Sequence, residues 1–113
     1  MMYTIFTVGE KEYKLRLNTR NTIELEKKLG GNPLSIFGDG ETVPTITNMI
    51  YILHASLQAY HHNITIDKAY DIFDSWLAEG HTAIEFLPVI TEIYQVSGII
   101  GTGAEEEETE KNS

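Results

Sequence analysis

Near the start of the chain, two short runs carry the hydrophobic pattern of strands. Tyr3 to Val8 is rich in β-branched and aromatic residues. Glu12 to Leu17 alternates, with Tyr13, Leu15 and Leu17 on one side and Lys14 and Arg16 on the other. A period of two marks a half-buried strand. Gly9-Glu10-Lys11 between the runs is a short turn containing Gly, so an antiparallel hairpin is predicted.

After residue 17 the period becomes helical. Asn18 to Asn21 supplies several capping oxygens; Asn21 and Glu24 have capping-box spacing, with Thr19 as the alternative cap. Ile23, Leu25 and Leu29 are expected to form the buried face of this first helix, with Glu24 and Lys28 as an i,i+4 pair and Gly30-Gly31 as its stop. Asn32-Pro33 should start one short turn through Leu34, Ile36 and Phe37, and Gly38-Asp39-Gly40-Glu41 breaks the chain again. Thr45 is predicted to cap a second helix with Ile46, Met49, Ile50, Leu53, Leu57 and Tyr60 on one stripe. Thr65 is predicted to cap a third, with Ile66, Ala69, Tyr70, Phe73 and Leu77 inward and Gly80 at its end. Thr82 and Glu85 form a capping box for a fourth, carrying Leu87, Ile90, Ile93 and Tyr94 and stopping at Gly98. Pro88, about six residues into that pattern, calls for a kink or a later start. The expected fold is α+β: an N-terminal antiparallel hairpin, then a small bundle of about four helices. Residues 1–100 form a single domain in this reading, with no internal repeat.

Composition narrows the functional classes. The 113 residues are 42% hydrophobic and 22% charged, an ordinary globular balance. Cysteine is absent, which removes disulfides, thiolate metal sites and cysteine nucleophiles. No run of about 18 apolar residues occurs, and no signal peptide is evident. A non-membrane, intracellular protein is therefore expected. Eight basic residues against 17 acids give a net charge of −9, the wrong sign for a general binder of nucleic-acid phosphates. Residues 1–30 hold six bases and four acids (+2), residues 31–100 one base and eight acids (−7), and residues 101–113 one base and five acids (−4). That last segment, GTGAEEEETEKNS, reads as a disordered acidic tail.

Signals for chemistry are weak. His54 precedes the adjacent His61-His62 by seven residues, but no H-x-x-x-H spacing accompanies them, and His61-His62-Asn63 reads as a polar interhelical turn. Asp67, Asp71 and Asp74 follow i, i+4, i+7 spacing and read as a solvated face rather than a Mg²⁺ or acid–base site. No nucleophile elbow, P-loop, dinucleotide glycine pattern or EF-hand loop occurs. The expectation is no catalytic residue, no metal and no cofactor, and a function carried by apolar surface offered to another helix. By size, Tyr51, Tyr60, Trp76 and Phe86 are candidate partner-binding residues, joined by Ile99 and Ile100 before the tail. For Ile99-Ile100, packing back onto the hairpin is the favoured alternative.

The order of these elements, with YKLRLN leading into LEKKLGGNPL, LHASLQAYHH ending the second helix, T-x-D-x-A opening the third and a terminal SG, resembles the small tail assembly chaperones of long-tailed phages and prophages of Gram-positive bacteria. The likeness covers residues 3–100. It implies a non-enzymatic protein that binds the long helical tape measure protein and keeps it soluble during tail morphogenesis. It also implies action in the cytoplasm of the bacterial host and absence from the mature virion. The major tail protein is a further candidate partner. A longer frameshifted product is known in such families, and residue 113 would then end the short form.

Two other readings come from charge alone. A small acidic regulator or inhibitor, one mimicking DNA, is the alternative function. The +2 to −7 asymmetry also suggests head-to-tail self-association, in which the first third of one copy meets the helical part of the next.

Overall fold

The computed structural model describes residues 2–38 and 43–101. An antiparallel hairpin of β1 (Thr4–Val8) and β2 (Lys11–Leu15) is followed by α1 (Thr19–Leu29), a 3₁₀ turn (Pro33–Phe37), α2 (Ile46–Leu57), α3 (Ile66–Ala78), a second 3₁₀ turn (Ala83–Glu85) and α4 (Phe86–Val96). The fold is α+β, a two-stranded hairpin and four helices. The predicted breaker at 39–41 and nearly all of the acidic tail lie outside the described residues.

Val8 pairs with Lys11, so the hairpin loop is the two residues Gly9-Glu10, one shorter than the sequence pattern indicated. Gly9 has φ +62°, a left-handed value that favours glycine at the first loop position of a tight hairpin. Phe6 faces Tyr13 and Thr4 faces Leu15 across the ladder, which puts the buried residues of both strands on one side. That side packs on the helices. Phe6, Phe73, Trp76 and Phe86 form an aromatic cluster at its centre, with ring centroids 5.3–5.8 Å apart and mostly edge-to-face or tilted. Met49, Ile52, Leu53, Leu57, Ile90, Ile93 and Tyr94 extend the core along the bundle.

Capping chemistry sets the helix limits, and it corrects the first of them. The α1 cap is Asn18, whose side chain accepts from the Asn21 N–H at 2.8 Å; neither Thr19 nor an Asn21–Glu24 box does this. Glu24 pairs with Lys27 rather than Lys28, because Lys28 turns toward α2. Gly30 closes α1 in the left-handed region at φ +76°. Thr45 and Thr65 cap α2 and α3 as their spacing predicts. The Thr82–Glu85 box forms, but it opens the 3₁₀ turn, and the α-helix starts only at Phe86. Pro88 therefore falls in the first turn of α4, where its missing N–H leaves no vacancy in the ladder. The later start, not a kink, accommodates it.

Several expected inward positions face out instead. Ile23 on α1 is 47% exposed, Ile46 56% and Tyr70 47%. The buried faces of α2 and α3 instead include Ile52, Ile72 and Trp76.

Three long-range ties lock the ends of the chain together. The Arg16 guanidinium donates to the Val96 carbonyl (2.7 Å) and the Met2 carbonyl (2.9 Å). The Leu17 N–H donates to Ser97 Oγ at 2.8 Å. Thr4 Oγ1 donates to Glu92 Oε2 at 2.9 Å. Among the described residues, no buried side-chain nitrogen or oxygen lacks a hydrogen-bond partner.

Candidate functional site

α2 and α3 run as antiparallel neighbours, so the first half of α2 lies beside the second half of α3. Between them lies a groove of about 480 Å³, lined by Ile46, Thr47, Ile50, Tyr51, Tyr70, Phe73, Asp74 and Leu77. Ile50 and Phe73 are buried and form the floor; Tyr51 and Leu77 are half-buried walls. Ile46 and Tyr70 stand at the lip with about half their surface in water. Large apolar side chains left exposed side by side mark a binding surface better than isolated ones do.

On the α3 side Asp74 lines the groove. Asp71 lies elsewhere: with Lys68, Ser75 and Glu79 it lines a cleft of about 310 Å³ between α3 and the hairpin. On the α2 side, the Lys28 ammonium lies 5.6 Å from the centre of the Tyr51 ring. Tyr51 thus separates the apolar groove from a second, polar cleft between α1 and α2, of about 330 Å³, lined by residues including Arg20, Glu24, Lys28, His54 and Gln58.

That cleft brings a histidine and a carboxylate together, but both are engaged. Nε2 of His54 donates to the Ile64 carbonyl at 3.0 Å, which leaves Nδ1 to accept from Lys28 at 3.5 Å. Burial first, then the Lys28 charge, lowers the His54 pKa; the Ile64 hydrogen bond opposes them. Glu24 meets Lys27 at 3.3 Å. His61 lies on the hairpin, where its Nε2 accepts from the Lys14 N–H at 3.0 Å; burial and then Lys11 and Lys14 lower its pKa. His62 is exposed. His81 stacks on Trp76 with ring centroids 4.5 Å apart and meets Glu85, whose carboxylate already holds the Thr82 N–H. Among the described residues, no three His, Asp or Glu side chains converge on one point.

The six partner-binding candidates do not share a site. Tyr51 alone lines the groove. Tyr60 sits on the hairpin side, edge-on to Tyr3 at 5.3 Å, with Lys14 over both rings. Trp76 is 5% exposed and Phe86 0%, so both are core residues held by the aromatic cluster. Ile99 and Ile100 are partly buried and pack against the core, their N–H groups turned back to the Tyr94 carbonyl. Sequence reasoning missed Ile46 and Tyr70 as groove residues because helical spacing assigned both to the buried face. Their flanks held a usable signal: Ile46 sits at the exposed first position after a cap, and Tyr70 lies among Asp67, Asp71 and Asp74.

Fold and groove together define a small α+β domain with an apolar groove between two of its helices. The chain belongs to a family of unknown function (DUF6096), whose family model matches residues 3–112. No curated protein and no solved structure matches it. No helix among the described residues is long and apolar enough to cross a membrane.

Proposed function

We propose that this protein is a non-enzymatic tail assembly chaperone of a long-tailed phage or prophage. In the host cytoplasm it binds the tape measure protein and keeps it soluble until the tail tube forms around it. The observation that carries this reading is the α2–α3 groove: a channel of about 480 Å³ with an apolar floor and two large apolar side chains at its lip. An elongated helical client presents apolar side chains at i, i+3/i+4 and i+7, and such a stripe is what a groove between two helices receives. The engaged state of His54, Glu24, His61 and His81 agrees with a role in binding rather than catalysis. Net charge of −9 supports the solubility such a complex needs.

Co-expression tests the reading. The tape measure protein of the same genome, insoluble alone, is expected to become soluble and to co-purify with this chain. Neither rescue nor co-purification would refute the assignment. A groove variant, Tyr70→Lys, should lose rescue while keeping the wild-type circular dichroism spectrum.

A further inference from the structure

We propose that the free edge of β1 is a docking site for an extended, positively charged segment of another protein, which joins the hairpin as a third strand. The contact does not depend on the function proposed above.

The two edges of the hairpin differ. Residues directly opposite in an antiparallel pair turn their N–H and C=O groups either toward each other or both away. The Lys14 N–H points away from β1, donating to His61 Nε2 at 3.0 Å, and the Arg16 N–H donates to the Ser56 carbonyl at 2.9 Å. The end of α2 and the turn after it thus close the β2 edge. Ile5 stands opposite Lys14 and Thr7 opposite Glu12, so Ile5 and Thr7 turn their N–H and C=O groups outward from β1. Among the described residues, none of those groups has a hydrogen-bond partner. Edge strands are usually blunted by charge, proline or a bulge. β1 has none of these: it reads Thr-Ile-Phe-Thr-Val, its register is unbroken from the Thr4–Leu15 pair to the Val8–Lys11 pair, and Ile5 is 41% exposed. Both ends are fixed, through Thr4 Oγ1 to Glu92 and through the Gly9 N–H to Glu79 Oε2 at 2.6 Å, so the edge is held extended before anything binds.

Only an extended chain can pair with such a row of N–H and C=O groups, which sets the backbone of the occupant. Charge sets its sequence. Side chains of an added strand alternate, those on the solvent face lying beside Ile5 and Thr7 and those on the helix side beside Thr4. On the helix side stands the Glu92 carboxylate, in a body where residues 31–100 carry −7. The occupant is therefore an alternating segment, apolar and β-branched beside Ile5 and Lys or Arg beside Glu92. A second copy of this chain, with its net charge of −9, or the chain's own run from Glu105 to Glu110, would bring acid to acid.

Amide NMR of the full chain, titrated with a capped peptide of about eight residues alternating valine and lysine, tests this. The Ile5 and Thr7 amide signals should move most and gain protection from exchange, with the α2–α3 groove unchanged. Two further peptides carry N-methyl groups on the valine amides only or on the lysine amides only. One pattern blocks the bonds to the edge and should weaken binding at least about tenfold; the other leaves them and should bind like the parent. Ile5→Lys changes an exposed side chain, should keep the native circular dichroism spectrum, and should also bind at least about tenfold more weakly. No shift on β1 at millimolar peptide overturns the proposal. So does a response centred on the groove, equal binding by the two methylated peptides, or wild-type affinity in Ile5→Lys. Protection of the Ile5 and Thr7 amides before peptide is added overturns it as well, because a second copy or the chain's own end then holds the edge.

Discussion

The Tyr94 hydroxyl donates a 2.9 Å hydrogen bond to the Pro33 carbonyl, tying α4 to the first 3₁₀ turn across 61 positions of sequence, with both groups buried. The residue is wholly buried, and its ring also meets Phe37 edge-on at 6.5 Å. Tyr94→Phe keeps the ring and deletes this one hydrogen bond, while the 3₁₀ turn still offers the Pro33 carbonyl the Ile36 N–H. Loss of one neutral hydrogen bond costs about 0.5–1.5 kcal/mol, so urea denaturation should show a loss of that size with an unchanged slope.

The same burial raises the Tyr94 pKa above its ordinary value of 10.0. In the unfolded chain the phenol ionises near that ordinary value, while in the folded chain it keeps its proton. The unfolded state then binds fewer protons, and stability falls as pH rises above about 10. Thermal melts between neutral pH and strongly alkaline pH should show this decline. Tyr94→Phe, though less stable at neutral pH, should show a shallower one.

Acid should act through the opposite sign. His54 and His61 both have lowered pKa values, so the fold prefers their neutral forms. The stability they contribute is present above the ordinary histidine pKa of 6.5 and is lost as pH falls below it. Protonated His61 can no longer accept from the Lys14 N–H. Proton NMR titration should place both imidazoles below the ordinary histidine value of 6.5. The Lys14 amide should lose protection as pH drops, its exchange slowing less than the intrinsic rate does.

Core and groove variants should separate cleanly. Phe86→Ala removes a fully buried ring from the aromatic cluster and should cost about 3–5 kcal/mol. Tyr70→Ala, at an exposed position, should change stability by no more than about 0.5 kcal/mol. Parallel denaturation curves check this. Loss of client binding with Phe86→Ala would then report unfolding, whereas the same loss with Tyr70→Ala would report the groove.

Much of the architecture was legible in the chain itself. The hairpin followed from Tyr13, Leu15 and Leu17 alternating with Lys14 and Arg16, and the caps at Thr45 and Thr65 followed from hydroxyls standing before helical periods. The groove was not legible. Periodicity identifies a face about 100° wide, and a residue at its margin can point either to the core or to the gap between two helices. Tyr70 and Ile46 stood at such margins, and only the placement of α3 against α2 decided them. Size misled for the opposite reason. Trp76 and Phe86 look like interface anchors, but Phe6 arrives from a strand 70 or more positions away and encloses them, an approach no local pattern encodes.

The α1 cap offers a direct check on local assignment. Asn18→Ala should destabilise the fold by about 1 kcal/mol, the usual cost of losing a capping side chain. Thr19→Ala, a change inside the first turn, should be nearly silent. Chemical denaturation of the two variants compares them, and a larger effect at Thr19 would contradict the Asn18 assignment.

The ties from Arg16 and Leu17 to Val96 and Ser97 span 80 positions each. They impose an order of events on synthesis. The strands leave the ribosome well before Trp76, Phe86 and the end of α4, which shelter them. Until then Phe6 and Leu15 have no lasting cover, and the early hairpin is a solvent-facing apolar surface in a crowded cell. A high proportion of such distant contacts also slows the search for the native state. A protein proposed to shield another chain's apolar stripe would thus pass through a stage in which its own is unshielded.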